Sequence, residues 1–321
     1  MRWDRFGQWP TTSRLSPVDM EGVPGEWSMA PGCKADRVLI FFHGGGYCCG
    51  SIRSHRRMMT EAGRAGALRT LAVGYRLAPE HPFPAALEDA LTTWHFVRGQ
   101  GFSARSVAVG GDSAGGGLTI ALLNTLKECG EELHACAWLV PPWTDLTMSG
   151  ATLITKDPID PLIHKAYLEE LAAAYVPAGI DRKDPRLSVL YADLRGLPPT
   201  LIQVGSAETL LDDAARLAAE AGSRGVLVTL QIWPDMIHAW HLWKRVCRRG
   251  VGRLALQVRF CSAASRRRTR GGTRLPPQVG SSLHPRIAGR CALPSRPNRA
   301  HPEWTAPCAE VRNACTVSFL A

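Results

Sequence analysis

The sequence predicts an α/β fold in which a mostly parallel central sheet carries helices on both faces and a small helical lid. Three observations predict it. Short apolar runs alternate with helical patterns along most of the chain, two glycine-rich loops each follow such a run directly, and the alternation lapses in one internal stretch. With 321 residues, 45% of them hydrophobic, the chain is long enough for one large domain with a core and a lid.

Strands are predicted at six apolar segments, 38–42, 71–75, 107–110, 135–140, 200–204 and 226–232. Helical patterns lie between most of them, at 84–97, 115–126 and 211–221. Strands that alternate with helices form parallel sheets covered on both faces, and ligands then bind at the carboxyl ends of the strands.

The alternation lapses between about residues 148 and 192, where a helical stretch at 161–175 is bounded by prolines. We interpret this stretch as a lid inserted into a catalytic domain spanning residues 31–260. Residues 1–30 are interpreted as an N-terminal segment that makes a shortened contribution to the lid. After about residue 260 no apolar periodicity persists, so 261–321 are predicted to be a disordered basic tail or residues translated out of frame.

The formal net charge of +10 is concentrated near the C-terminus. Residues 1–244 carry 23 Lys and Arg against 26 Asp and Glu, whereas residues 245–321 carry 15 against 2. A genuine basic arm would bind nucleic acid in a salt-sensitive way, but the body is mildly acidic and we expect no nucleic-acid partner. No run approaches the roughly eighteen apolar residues of a membrane span, and the first residues lack the core of a secretion signal, so a cytoplasmic protein is predicted.

The second glycine-rich loop contains Ser113 in the pattern Gly-Asp-Ser-Ala-Gly. A Gly-x-Ser-x-Gly turn places its serine on a sharp bend between a strand and a helix, with the hydroxyl exposed. An ordinary turn serine is the alternative, but so demanding a bend usually serves catalysis. Ser113 is therefore the predicted nucleophile, and Asp112 is predicted to support the turn.

The first glycine-rich loop begins at His43 and lacks side chains that would keep a carbonyl oxygen away from its amides. We predict that an oxyanion is bound by backbone amides of Gly44, Gly45, Gly46 and Ala114, with Gly45 and Gly46 preferred. His43 is expected to brace the loop by hydrogen bonding. It is a poor candidate for the catalytic base because it precedes the nucleophile.

A serine hydroxyl needs a base, and in this fold the residues follow in the order nucleophile, acid, base. His238 comes a few residues after the last predicted strand and is the predicted base. His241 is the rival, and we interpret it as a solvated helix histidine. The two histidines have a spacing that suits a metal, but no third ligand is evident nearby, so no metal is predicted.

Three carboxylates are candidates for the acid that orients the imidazole, namely Glu208, Asp212 and Asp213. Glu208 lies closest to the end of its strand. The two aspartates fall on the following helix, where they would stabilise the first turn through the helix dipole. Glu208 is the predicted acid, and Asp212 is kept as the alternative.

These motifs resemble the hormone-sensitive lipase family of α/β-hydrolases, bacterial esterases marked by His-Gly-Gly-Gly and Gly-Asp-Ser-Ala-Gly-Gly. Segments 75–86, 142–146, 191–199 and 235–238 also look like family signatures. The resemblance implies the α/β-hydrolase fold and a triad of Ser113, Glu208 and His238, with no cofactor. Many relatives have an aspartate as the acid and a longer N-terminal region that contributes lid helices.

The expected function is hydrolysis of short- to medium-chain carboxylic esters through an acyl-enzyme intermediate. A shortened lid would leave the pocket more open, which favours soluble short-chain esters. The partner is then a small-molecule ester, and a homodimer is left open. Two alternatives remain, a non-catalytic small-molecule binding protein on the same fold and a hydrolase of lactones or amides.

Overall fold

The computed structural model describes residues 13–243. Within this range one sheet is formed by eight strands, β1 (Arg14–Met20), β2 (Val23–Met29), β3 (Lys34–Phe42), β4 (Leu68–Val73), β5 (Val107–Ser113), β6 (Cys136–Pro142), β7 (Thr200–Gly205) and β8 (Val228–Trp233). The helices are α1 (Ile52–Gly66), α2 (Ala85–Gly99), α3 (Ala114–Glu128), α4 (Thr152–Thr155), α5 (Lys165–Tyr175) and α6 (Leu211–Ser223). Among the helices of this range, none is long and apolar enough to cross a bilayer.

The strand order is β1-β2-β4-β3-β5-β6-β7-β8. Strand β2 is antiparallel to both of its neighbours, and the pairs from β4 to β8 are parallel. This arrangement confirms the predicted α/β fold with a mostly parallel sheet. Phe42 pairs with Gly111 at the carboxyl ends of β3 and β5. The two glycine-rich loops therefore leave the sheet side by side at the carboxyl ends of its strands.

The N-terminal part of the chain differs from the prediction. Residues 1–30 were expected to contribute to the lid. Residues 1–12 of this segment lie outside the described residues, and in the rest β1 and β2 form a hairpin that adds to the sheet beside β4. Its tight turn has positive φ at Glu21 and Gly22, the geometry that matches the twist of paired strands. The hairpin escaped detection because its strands bury few side chains and so carry little apolar periodicity.

Both faces of the sheet are covered, as alternation along β3 shows. Val38, Ile40 and Phe42 pack into one apolar cluster with residues of α2, α3 and α6. Leu39 and Phe41 pack into a second cluster on the opposite face, which includes residues of α1. Successive side chains of a strand point to opposite faces, so a strand buried on both sides is apolar at every position.

Between β6 and β7 the chain carries α4, α5 and a short 3₁₀ turn at Val189–Tyr191. We call residues 148–192 the insertion. The helix predicted at 161–175 begins later, at Lys165, because Asp157 and Asp160 cap the turns that precede it. The predicted tail at 261–321 and its out-of-frame origin lie outside the described residues, and the domain boundaries remain predictions.

Candidate active site

Ser113 stands at the junction of β5 and α3 in a strained conformation, with φ 53° and ψ −120°. A side-chain-bearing residue rarely adopts a positive φ, and such strain is concentrated at functional sites. The flanking glycines make the bend feasible. A Cβ on Gly115 would collide with the carbonyl oxygen of Phe42, and one on Gly111 would collide with the carbonyl oxygen of Gly115. The motif therefore produces the predicted sharp turn.

His238 and Glu208 form a buried pair, with 2.8 Å between Nδ1 and Oε2. Glu208 follows β7 and His238 follows β8, so neighbouring parallel strands deliver both side chains to the same edge. The loops are joined where the Ala207 N–H donates to the Met236 carbonyl at 3.1 Å. Gly205 permits this approach, because a Cβ there would collide with that same carbonyl.

The charge of Glu208 controls the basicity of His238. Burial of the ring lowers its pKa, but the hydrogen bond that the ring donates to Glu208 and the negative charge of that carboxylate outweigh burial, so the pKa lies above the usual 6.5. The pKa of Glu208 is raised by its own burial, and the contact with His238 opposes that rise. Since Nδ1 donates to a carboxylate, Nε2 is the nitrogen left to accept a proton.

The two rival carboxylates do other work. Asp213 is buried and its Oδ2 accepts the backbone N–H groups of Thr144 and Asp145, at 2.7 and 3.0 Å. Asp212 accepts the N–H of Ala151 at 2.9 Å. Both aspartates therefore link the start of α6 to the segment after β6. Of the three candidate acids, Glu208 is the one that contacts His238.

The rival histidine, His241, is buried rather than solvated as predicted. It lies in the 3₁₀ turn at Trp240–Trp243, and its Nε2 is 3.2 Å from the side-chain oxygen of Gln203. Burial lowers its pKa to about 3. A ring that stays neutral and packed against the body is a structural histidine.

The oxyanion prediction needs one correction. The N–H of Gly44 donates to Oδ1 of Asp112 at 2.9 Å, so this amide is occupied and cannot bind an oxyanion. Gly45 and Gly46 have φ of 120° and 60°, values that favour glycine. Ala114 is the first residue of α3, where an N–H has no acceptor within the helix. The other three predicted donors, Gly45, Gly46 and Ala114, stay predictions.

His43 is placed as a brace. Its Nδ1 donates to the Gly44 carbonyl at 2.8 Å, and its own carbonyl accepts the Tyr75 hydroxyl at 2.7 Å. The rings of His43 and Tyr75 stack with 4.4 Å between centroids. Burial lowers the pKa of His43 to about 4, so the ring remains neutral as it supports the loop.

A second buried pair, Asp112 and His55, lies beside the two loops, and of these two residues only Asp112 is predicted from the sequence. Oδ2 of Asp112 is 3.1 Å from Nε2 of His55, whose Nδ1 contacts the Ser54 hydroxyl at 2.8 Å. Burial raises the pKa of Asp112, but the neighbouring His55 outweighs it and the pKa falls below its usual value. A capping box at Ser51 and Ser54 was the available signal, since it predicts a helix that begins beside the glycine loop.

Ser113 and His238 line one cavity of about 610 Å³, together with Gly44, Gly45 and Gly46. Opposite them the insertion and the segment after His238 supply mostly apolar lining residues, Leu162, Ile163, Tyr167, Leu168, Leu171 and Leu242. Within residues 13–243 no cluster of three or more metal-ligating side chains is found. A serine on a strained bend and an imidazole oriented by a carboxylate, beside glycine-loop amides and an apolar cavity, are equipped for acyl transfer.

Comparison with known proteins agrees with this chemistry. A family model described as the α/β hydrolase fold matches residues 39–242. An acetyl-hydrolase of Streptomyces hygroscopicus is 42% identical over 233 residues, which cover 73% of this chain and 77% of the relative. An esterase of Acinetobacter venetianus is 35% identical over 231 residues, covering 72% and 76%.

Solved structures show the same relationship. The crystal structure of an esterase from the bacterial hormone-sensitive lipase family aligns with a TM-score of 0.79 and 39% sequence identity. The alignment covers 82% of this chain and 89% of the esterase. An esterase/lipase from an uncultured bacterium aligns with the same TM-score at 38% identity, over the same shares of the two chains.

Proposed function

This chain belongs to the bacterial hormone-sensitive lipase family of α/β-hydrolases and is a carboxylesterase, and we propose that it hydrolyses short- to medium-chain esters through an acyl-enzyme on Ser113. The observation that carries the proposal is the 2.8 Å contact between the buried Glu208 and His238, a residue that lines the same cavity as Ser113. The strained Ser113, the oriented base His238 and the buried acid Glu208 all lie at the carboxyl ends of the parallel strands.

In the first half-reaction, Oγ of Ser113 attacks the ester carbonyl carbon while Nε2 of His238 takes the hydroxyl proton. Glu208 stabilises the imidazolium that forms, because its carboxylate faces Nδ1. The tetrahedral intermediate then collapses, the carbon–oxygen bond to the alcohol breaks, and His238 returns the proton to the leaving oxygen. An acyl group remains on Ser113.

In the second half-reaction a water molecule attacks the acyl carbon and gives its proton to His238. Collapse of the second tetrahedral intermediate breaks the bond to Oγ and releases the carboxylic acid. His238 reprotonates Ser113, so the enzyme returns to its starting state.

Negative charge develops on the carbonyl oxygen in both steps. We assign its stabilisation to the N–H groups of Gly45, Gly46 and Ala114, with Gly44 excluded by its bond to Asp112. Each such donor contributes about 2.7–4 kcal/mol of transition-state stabilisation, roughly a hundredfold to a thousandfold in rate. The triad alone would therefore be a weak catalyst.

The substrate range follows from the cavity. A volume of about 610 Å³ with a largely apolar lining suits an acyl chain of modest length. Rates on p-nitrophenyl esters of increasing acyl length test this, and we expect the maximum at short chains. A maximum at long chains would contradict the proposed range, and a lactone and an anilide in the same panel measure the alternative activities.

The binding-protein alternative is tested by covalent labelling. A fluorophosphonate reacts only with an activated serine, so we expect wild-type protein to be labelled and Ser113→Ala to remain unlabelled. A pure receptor would remain unlabelled in both forms. Hydrolysis of p-nitrophenyl acetate measured on the same samples links the label to turnover.

The oligomeric state forms a separate part of the proposal. Among the described strands, β8 is the outermost strand at one side of the sheet. Leu227, just before β8, is 60% exposed, and Ile232, within β8, is 49% exposed. Edge strands can pair with a second copy of the chain, which supports a homodimer. Light scattering on wild type and Ile232→Lys tests it. The cytoplasmic location and the absence of a nucleic-acid partner stay predictions of the sequence.

A further inference from the structure

Helix α5 of the insertion packs directly against the oxyanion loop. A Cβ on Gly46 would collide with the side chain of Leu171, so that leucine already fills the space beside the glycine. Two residues further along the loop, Sγ of Cys48 is 3.7 Å from the Leu171 carbonyl oxygen. Helix α5 of the insertion therefore forms one wall of the loop.

The residue between these contacts makes the closest aromatic contact of the site. The rings of Tyr47 and Tyr175 stack with 3.9 Å between centroids and 4° between planes, and each residue is 3% exposed. Tyr175 is the last residue of α5. It is anchored in turn by Phe83, whose N–H donates to the Tyr175 carbonyl at 2.9 Å and whose ring meets it edge-on.

Tyr47 needs such an anchor because of its backbone. Its φ of 63° lies in the left-handed region that residues with a side chain seldom adopt. It directly follows Gly46, whose N–H we assign to the oxyanion. A rotation that relieved Tyr47 would move the Gly46–Tyr47 peptide. Through the Cα of Gly46 it would also shift the preceding peptide, which carries the Gly46 N–H.

We propose that Tyr175 is a positioning residue for the oxyanion hole, holding the loop in its anion-binding shape through the stack on Tyr47. Leu171 assists by filling the space beside Gly46. Tyr175 is not among the residues that line the substrate cavity, so its effect passes through the loop. The inference rests on the proposed function, since it assumes that the loop amides bind an oxyanion.

Such a role predicts a specific kinetic signature. A group that shapes the oxyanion hole stabilises the transition state more than the bound ester, so its loss lowers kcat and leaves KM nearly unchanged. A trifluoromethyl ketone reports on the same hole, because attack by Ser113 gives a tetrahedral adduct with a charged oxygen. Its inhibition constant should follow kcat/KM across variants.

The experiment compares Tyr175→Leu with Tyr175→Phe. For the leucine variant we expect kcat to fall about tenfold or more, KM to stay within about twofold, and the inhibition constant to rise by the factor lost in kcat/KM. The phenylalanine variant keeps the flat ring and should retain most of the activity. Circular dichroism and thermal melting establish that each variant is folded.

The control is Leu168→Ala on the same helix, since Leu168 is as buried as Leu171 and lines the cavity. There we expect KM to change more than kcat. If folded Tyr175→Leu keeps the wild-type kcat and inhibition constant, or changes KM alone, the inference is wrong. Should it fail to fold, Tyr175→Met takes its place, since methionine fills part of the space without a flat ring. An inhibition constant that does not follow kcat/KM in that variant is then the contrary result.

The two proposals fail in different ways. Wild-type protein that resists fluorophosphonate and hydrolyses no ester would remove the proposed function and this inference with it. Labelled, active wild-type protein whose Tyr175→Leu form is equally active would remove the inference alone.

Discussion

The carboxylate of Asp112 accepts the backbone N–H of Gly44 at 2.9 Å, across 68 positions of sequence. This bond joins the turn that carries the nucleophile to the loop that faces it. The other carboxylate oxygen contacts His55, so all of the charge is buried and paired. Gly44 has to be glycine at this point, because a Cβ would collide with that oxygen. The two loops are thus held in register before any substrate binds.

Removal of His55 would take away the partner of Oδ2 in the buried Asp112 carboxylate, while Oδ1 would keep the Gly44 N–H. We expect His55→Leu to lower the free energy of unfolding by roughly 3 kcal/mol, because an uncompensated buried charge is strongly destabilising. Urea denaturation measures the loss. Arg224→Leu is the control, since Arg224 pairs with Glu220 on the surface and such pairs contribute about 1 kcal/mol or less. Equal losses in the two variants would contradict the prediction.

The pH dependence of kcat/KM should report the pKa of His238. The base works only in its neutral form, and its pKa is raised above 6.5, so activity is low in acid and rises through a midpoint on the alkaline side of 6.5. Glu208→Gln removes the negative charge that raises this pKa. We expect the midpoint to move to lower pH while kcat falls, and a midpoint that stays in place would be evidence against the pair.

The two neighbouring histidines offer a matched comparison. His238→Asn should lower kcat by about a thousandfold or more, because the base is lost. His241→Asn removes a buried ring of the same type three residues away, and we expect it to affect thermal stability with most of the activity retained. If both variants lost activity equally, the roles assigned to the two rings would be wrong.

Gly46 and Leu171 should show coupled effects. Gly46→Ala places a methyl group against Leu171, and displacement of the loop should lower kcat about tenfold or more. Adding Leu171→Ala makes room, so the double variant should recover part of the loss. Gly99→Ala is the control, because a Cβ there meets nothing within 4 Å and should leave kcat unchanged. Strictly additive losses would show that the two residues do not act through one contact.

Much of the sheet was predictable because its strands are buried on both faces. The apolar runs at 107–110 and 200–204 lie within β5 and β7, and the glycines at 111 and 115 signal the bend at Ser113. The hairpin of β1 and β2 was missed since partly exposed edge strands lack that signal. Helix α1 was also absent from the predicted elements, although its capping box is visible in the sequence.

The sequence by itself determined the fold class, the strained serine and the short set of candidate acids and bases. These follow from local patterns, namely apolar periodicity, glycines that permit close approach, and the chain order of the reacting groups. Only the tertiary structure decided that Glu208 rather than Asp212 contacts His238, and that the Gly44 amide is occupied by Asp112. It also decided that Tyr175 packs on the oxyanion loop. Such pairings depend on which strand ends and helices become neighbours when the sheet assembles. The spacing of residues along the chain does not reveal which of them will lie in contact.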